Sequence, residues 1–145
     1  MQSYYGDLNL SMILAALGSA WGAGVAGMSA IGAWKKAYSL NKAAPFILVA
    51  FVGAPLSQTI YGMILRNAIK AAAIPDLATN LLIGGFAGLA MGFSALWQGK
   101  NSAKACDALT ETGQGFGNYI MVIGIIETVA LFIMVFCLTA LPKAA

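Results

Sequence analysis

Apolar residues run along this chain in four long windows, separated by short stretches that hold nearly all of its charge. The windows are Leu8 to Trp34, Ala43 to Leu65, Leu77 to Gly99 and Thr112 to Pro142. Each is long enough to cross the hydrocarbon core as a helix, which takes about 20 residues. The stretches between them carry turn and charge signals: Lys35, Lys36 and Lys42 before Pro45, then Arg66 to Asp76 with Pro75, then Lys100 to the glycines of Gly113-Gln114-Gly115-Phe116-Gly117. The pattern predicts an all-α membrane protein in one membrane domain, residues 1–145. Its four transmembrane helices form two hairpins, 8–70 and 77–142.

Composition narrows the functional classes. With 9% charged and 60% hydrophobic residues, no histidine and two distant cysteines, Cys106 and Cys137, the sequence offers no Cys/His metal cluster and no disulfide framework. The net charge of +3 is spread over the connections, so no face suited to nucleic acid arises. Asp7 stands where a signal peptide would carry Lys or Arg, and the first window is therefore expected to be a retained helix. Lys35, Lys36, Lys42, Lys100 and Lys104 fall on one side of the membrane, against Arg66, Lys70 and Lys143 on the other. That asymmetry predicts cytoplasmic first and third connections, with both termini outside.

The two halves resemble each other. Ser57-Gln58-Thr59-Ile60 in the second window matches Ile126-Glu127-Thr128-Val129 in the fourth, so Gln58 stands where Glu127 stands. The first and third windows are both rich in glycine. Gly84, Gly88 and Gly92 recur every fourth residue, as do Gly18 and Gly22 followed by Ala26 and Ala30. Such stripes let neighbouring backbones approach closely. Helices one and three are expected to form a tight inner layer, with helices two and four facing lipid.

Glu127 is the one charged residue deep inside a window. An ionisable group at the centre of a membrane helix costs about 2.5–3.5 kcal/mol on insertion scales, which marks it for an ion path, a proton relay or a polar partner. Ser57, Gln58 and Tyr61 share one face of helix two at a comparable depth, and Gln98 of helix three lies about as far before its connection as Glu127 lies after it. Pro55 leaves the carbonyl of Phe51, one turn back, without its helical donor. One carboxylate among neutral oxygens suits a hard monovalent cation, because the loaded site is then neutral. A proton would need only an apolar pocket around Glu127, leaving Gln58 and Gln98 as interhelical hydrogen-bonding groups.

These residues, in this order, resemble the proteolipid of V-type (V/A-type) ATPases. The glycine-rich helices one and three, Pro55-Leu56-Ser57-Gln58-Thr59-Ile60-Tyr61, Trp97-Gln98-Gly99-Lys100 and Ile126-Glu127-Thr128-Val129 are most similar to the K subunit of bacterial sodium-pumping forms. The resemblance implies a homo-oligomeric rotor ring in a bacterial plasma membrane. Glu127 would be the ion-carrying carboxylate, Gln98 and Gln58 amide ligands, Ser57 a hydroxyl ligand and Tyr61 a gating phenol. For the backbone ligand the resemblance prefers the carbonyl of Ala54 to that of Phe51. Leu56 and Thr59 depart from the pattern, being bulkier than the small residues usual around that proline. The implied cargo is Na+, with H+ as the alternative. The implied partners are identical subunits, a stator membrane subunit, a central stalk at the cytoplasmic connections, and lipid.

Because Gln58 replaces a carboxylate, four helices would carry one ion. The chain lacks a glycine-rich phosphate loop with its lysine, so ATP hydrolysis would belong to another subunit. A stand-alone transporter of cationic drugs is the rival class, but it would want aromatics beside its carboxylate. Here Ile125, Ile126, Thr128 and Val129 flank it. A purely structural four-helix protein would leave Glu127 without a purpose.

Overall fold

The computed structural model describes residues 5–142, so Lys143 lies outside the described residues. Four helices long and apolar enough to cross a membrane make up nearly all of it: α1 (Leu10–Ser39), α2 (Leu48–Ala71), α3 (Leu77–Thr112) and α4 (Phe116–Ala140). The α2 rod contains one turn of tighter 3-10 helix, Ala54–Leu56, centred on buried Pro55. A proline has no N–H to give to the preceding turn, and the local change of winding accommodates that loss.

The helices outrun the windows that announce them. Lys35 and Lys36 lie inside α1, Arg66 and Lys70 inside α2, and Lys100 and Lys104 inside α3. Hydropathy marks where the chain would leave hydrocarbon, whereas backbone hydrogen bonding continues until a residue stops it. The stops are local. Gly113 ends α3 at φ 69°, and Gly115 opens α4 at φ 90°, left-handed conformations that glycine adopts without a Cβ penalty. The projecting ends of α1 and α3 are joined by an exposed ion pair, Lys36 Nζ to Glu111 Oε1 at 2.7 Å, a kind of contact that adds little stability. Trp34 Nε1 donates to the Pro45 carbonyl at 2.8 Å and pins the first connection back on α1.

Asp76 caps α3, accepting from the Thr79 amide at 2.9 Å and from the Thr79 hydroxyl. The Thr79 hydroxyl, then the Thr79 amide, hold the Asp76 carboxyl below its ordinary pKa. A carboxylate with a depressed folded-state pKa stabilises above its unfolded value and loses that contribution as pH falls through the folded one. Protection of the Thr79 amide, measured against its intrinsic exchange rate at each pH, should therefore fall on acidification below the ordinary carboxylate range, and Asp76→Ala should remove that dependence.

The closest packing joins α1 and α3, which run parallel. A Cβ on Gly18 would sit 2.1 Å from the Gly92 carbonyl oxygen, and one on Gly99 would sit 2.1 Å from that of Gly22. Only a hydrogen fits at either place. Gly88 lies against the Ser11 backbone, whereas Gly24 and Gly32 face open space, so the stripe that packs is the four-residue one. We expect Gly99→Ala to destabilise the fold by about 1–3 kcal/mol through overpacking. A melting series in detergent, with Gly24→Ala as the neutral comparison, checks this.

The α2 helix joins the same layer through Gly62, where a Cβ would be 2.8 Å from the Ser11 carbonyl oxygen and 2.9 Å from Ala15 Cβ. Ser11 Oγ donates to the Gly62 carbonyl at 3.2 Å. The α4 helix is the most exposed of the four. Its exposed Thr128 and Thr139 turn their hydroxyls onto their own helix, donating to the Ile125 and Phe136 carbonyls, so neither offers an unpaired donor to an apolar surrounding.

Two apolar clusters build the core. One holds Leu48, Phe51, Cys106, Leu109 and Ile123, and the other Leu65, Ile69, Met91, Ala130 and Met134. Along α2 the clusters bracket Gln58, along α3 they bracket Gln98, and along α4 they bracket Glu127. The polar residues thus occupy a band at mid-depth, closed above and below by side chains with no hydrogen-bonding groups except a thiol.

Candidate ion-binding site

All six positions singled out from the sequence meet in this band. Glu127, half-buried on α4, accepts from two sides: Tyr61 Oη donates to its Oε1 at 2.8 Å, and Gln98 Nε2 donates to its Oε2 at 3.3 Å. The same Gln98 amide nitrogen also donates to the Ile123 carbonyl at 3.3 Å. Gln58 Nε2 then donates to Gln98 Oε1 at 2.8 Å. Ser57 Oγ lies 3.3 Å from both Gln58 Oε1 and the Ala54 carbonyl oxygen. A continuous hydrogen-bonded chain runs from Ala54 to Tyr61 through the carboxylate.

Local structure explains each position. The Ala54–Leu56 turn brings the Ala54 carbonyl beneath the Ser57 hydroxyl, and Pro55 keeps this backbone from simply continuing the α-helix. Phe51, whose carbonyl is the alternative acceptor, contributes its ring to the core, 5.3 Å from Phe116. Leu56 turns outward and is 54% exposed, so its bulk does not enter the site. Gln58 and Gln98 are fully buried, and each must hydrogen-bond within the protein.

Two contributors escape a reading of the sequence. Ser94 Oγ donates to the Ile126 carbonyl at 2.8 Å, and the Ile123 carbonyl accepts from Gln98, so α3 is fastened to the turn of α4 that leads into Glu127. Ser94 was open to detection, since it lies one turn before Gln98 on the same helix face. A backbone carbonyl carries no mark in a sequence.

The donor set is one carboxylate, two amide oxygens, one hydroxyl and one backbone carbonyl, with a phenol over the carboxylate. Hard cations take such oxygens, and a single negative charge balances a monovalent one. In the observed pairing the amide nitrogens occupy the inner hydrogen bonds. An amide presents oxygen or nitrogen to the same point by half a turn about its last bond, so the same side chains can serve a protonated carboxyl or a cation.

Residues 81–140 match the family model of the ATP synthase C subunit. Neither the curated proteins nor the solved structures yield a match. The matched segment contains Gln98 and Glu127, while Ser57, Gln58 and Tyr61 lie in the half outside it. With four helices long and apolar enough to cross a bilayer, the chain is an integral membrane protein whose second hairpin is similar to the C subunit of ATP synthase.

Proposed function

We propose that this chain is the proteolipid of a V-type rotary ATPase, a subunit of a membrane rotor ring that carries Na+ at Glu127. The observation that carries the reading is the closed polar band, in which a lone mid-membrane carboxylate is met by Tyr61, Gln98 and, through Gln98, by Gln58 and Ser57. The match of the second hairpin to the ATP synthase family supports the rotor role. Neutral oxygens from both hairpins support the cation over the proton, since a proton would require only Glu127.

The mechanism follows from charge. A deprotonated Glu127 cannot face hydrocarbon alone, so it rests against a positive group of a stator subunit when unloaded. Na+ arriving through an aqueous half-channel replaces that partner. The Gln58 and Gln98 oxygens, Ser57 Oγ and the Ala54 carbonyl complete its shell, and Tyr61 closes over the carboxylate. The neutral site then travels through lipid until it reaches the exit channel. A central stalk bound at the connections near Lys35 and Lys104 transmits rotation driven by ATP hydrolysis on other subunits. The membrane is a bacterial plasma membrane, with the termini outside.

The exposed apolar faces of α1 and α3, including Leu17, Trp21, Phe86, Leu89 and Phe93, serve contacts with identical neighbours and lipid. Because Gln58 takes the place of a second carboxylate, each four-helix subunit moves one ion. A ring of given girth then moves fewer ions per turn than one of single hairpins, with more free energy per ion, which favours pumping against a steep gradient. Purification in mild detergent tests the assembly. A large, detergent-resistant ring is the expected result, and a dimer would instead favour a stand-alone cation transporter.

A further inference from the structure

Ser19 is 2% exposed, and its hydroxyl has no hydrogen-bond partner among the described residues. Its position follows from the antiparallel register of α1 and α2. Ala15 lies against Gly62, and Gly22 against Pro55 Cβ, at the two ends of the contact. Four residues on from Ala15 is Ser19, and four residues back from Gly62 is Gln58. Three further steps on each helix reach Gly22 and Pro55. Ser19 and Gln58 are thus register partners, both buried in one interface, and Gln58 is the residue whose amide must turn if its oxygen is to meet a cation.

Turning creates a need that the site residues do not meet. In the observed pairing Gln58 Nε2 donates to Gln98 Oε1, and Gln58 Oε1 accepts from Ser57. With both glutamine oxygens directed at a cation, the Gln58 amide nitrogen is directed away from it, into the α1 interface. A buried N–H without an acceptor is strongly disfavoured. A serine hydroxyl can accept as well as donate, and Ser19 is the unpartnered hydroxyl on the opposing helix face. We infer that Ser19 is a positioning residue for the cation-loaded site, accepting a hydrogen bond from the Gln58 amide nitrogen and so favouring Na+ over H+ at Glu127. This rests on the proposal that Glu127 carries Na+.

In the proton-loaded site, where Gln58 keeps its bond to Gln98, the Ser19 hydroxyl contributes nothing and carries the cost of burial without a partner. Two opposite effects follow for Ser19→Ala. Thermal stability of the sodium-free protein should stay the same or rise, while the Na+ concentration that half-protects Glu127 from a hydrophobic carbodiimide should increase about fivefold, the worth of one neutral hydrogen bond. The pH dependence of labelling without Na+ should not move. Ser19→Cys, with a weaker acceptor of similar size, should fall between.

The test uses the intact protein in detergent or native membranes, with NaCl as the probe and choline chloride holding ionic strength. An unchanged half-protecting concentration in both variants, beside a wild type that Na+ protects, overturns the role of Ser19 alone. So does an equal shift of sodium-free labelling, since that would place the effect on the carboxyl itself. A wild type that Na+ never protects overturns the role of Ser19 together with the Na+ reading on which it rests.

Discussion

Glu127→Gln is expected to abolish ion transport while leaving the assembled protein intact. The amide matches the carboxyl in size and can still accept from Tyr61 and pair with Gln98, so the band that closes between the two apolar clusters should persist. What disappears is the negative charge, and without it a desolvated monovalent cation has no counter-charge at membrane depth. ATP-driven sodium uptake by vesicles reconstituted with the complete ATPase should fall to the empty-vesicle background, with an unchanged ring mass in detergent. Labelling by a hydrophobic carbodiimide should vanish with it, because that reagent needs a protonated, lipid-accessible carboxyl. Glu127 is half-buried on the most exposed helix. Retained sodium uptake in this variant, or a labelled peptide lacking residue 127, would remove Glu127 from the carrier role.

Sodium should slow that labelling, and the slowing should strengthen as pH rises. Na+ and H+ compete for the same carboxylate, so each rise in pH removes competitor and lowers the Na+ concentration needed for protection. K+ should protect poorly, being too large for a site closed by Tyr61. Gln98→Leu should weaken protection far more than it weakens labelling, since it deletes a cation ligand and the bond from Gln98 to Glu127 but leaves the carboxyl and the Tyr61 bond in place. The loss should reach about 10-fold or more in half-protecting concentration, in keeping with about 1.5–3 kcal/mol for a hydrogen-bonding contact to a charged group. If Na+ fails to protect at every pH where labelling proceeds, the site carries protons, and Gln58 and Gln98 are interhelical fasteners.

The sequence alone determined the helices, because hydropathy is a property of each residue and a membrane helix satisfies its own backbone. It also singled out the candidate site residues, since a carboxylate flanked by Ile125, Ile126, Thr128 and Val129 stands out without any structure. Gly18, Gly22, Gly88 and Gly92 were legible as a packing stripe from their spacing alone. Helix ends were less legible: α1 and α3 continue through lysines that hydropathy reads as a boundary, because charge ends the apolar window without ending the hydrogen bonding.

How the pieces meet was settled by packing between helices. That Gln98 reaches both Glu127 and Gln58, that Leu56 points away, and that Ser94 and the Ile123 carbonyl fasten α3 to α4 all depend on rotations and registers between helices that no single-helix pattern encodes. Ser19 shows the same limit from the other side. In the sequence it is one serine in a small-residue stripe, and it becomes a candidate partner of Gln58 only when Ala15 against Gly62 and Gly22 against Pro55 fix the register between them. Propensity and hydropathy act within a segment, whereas a site is a set of distances between segments, and those distances are set by which side chains are small enough to let the backbones close.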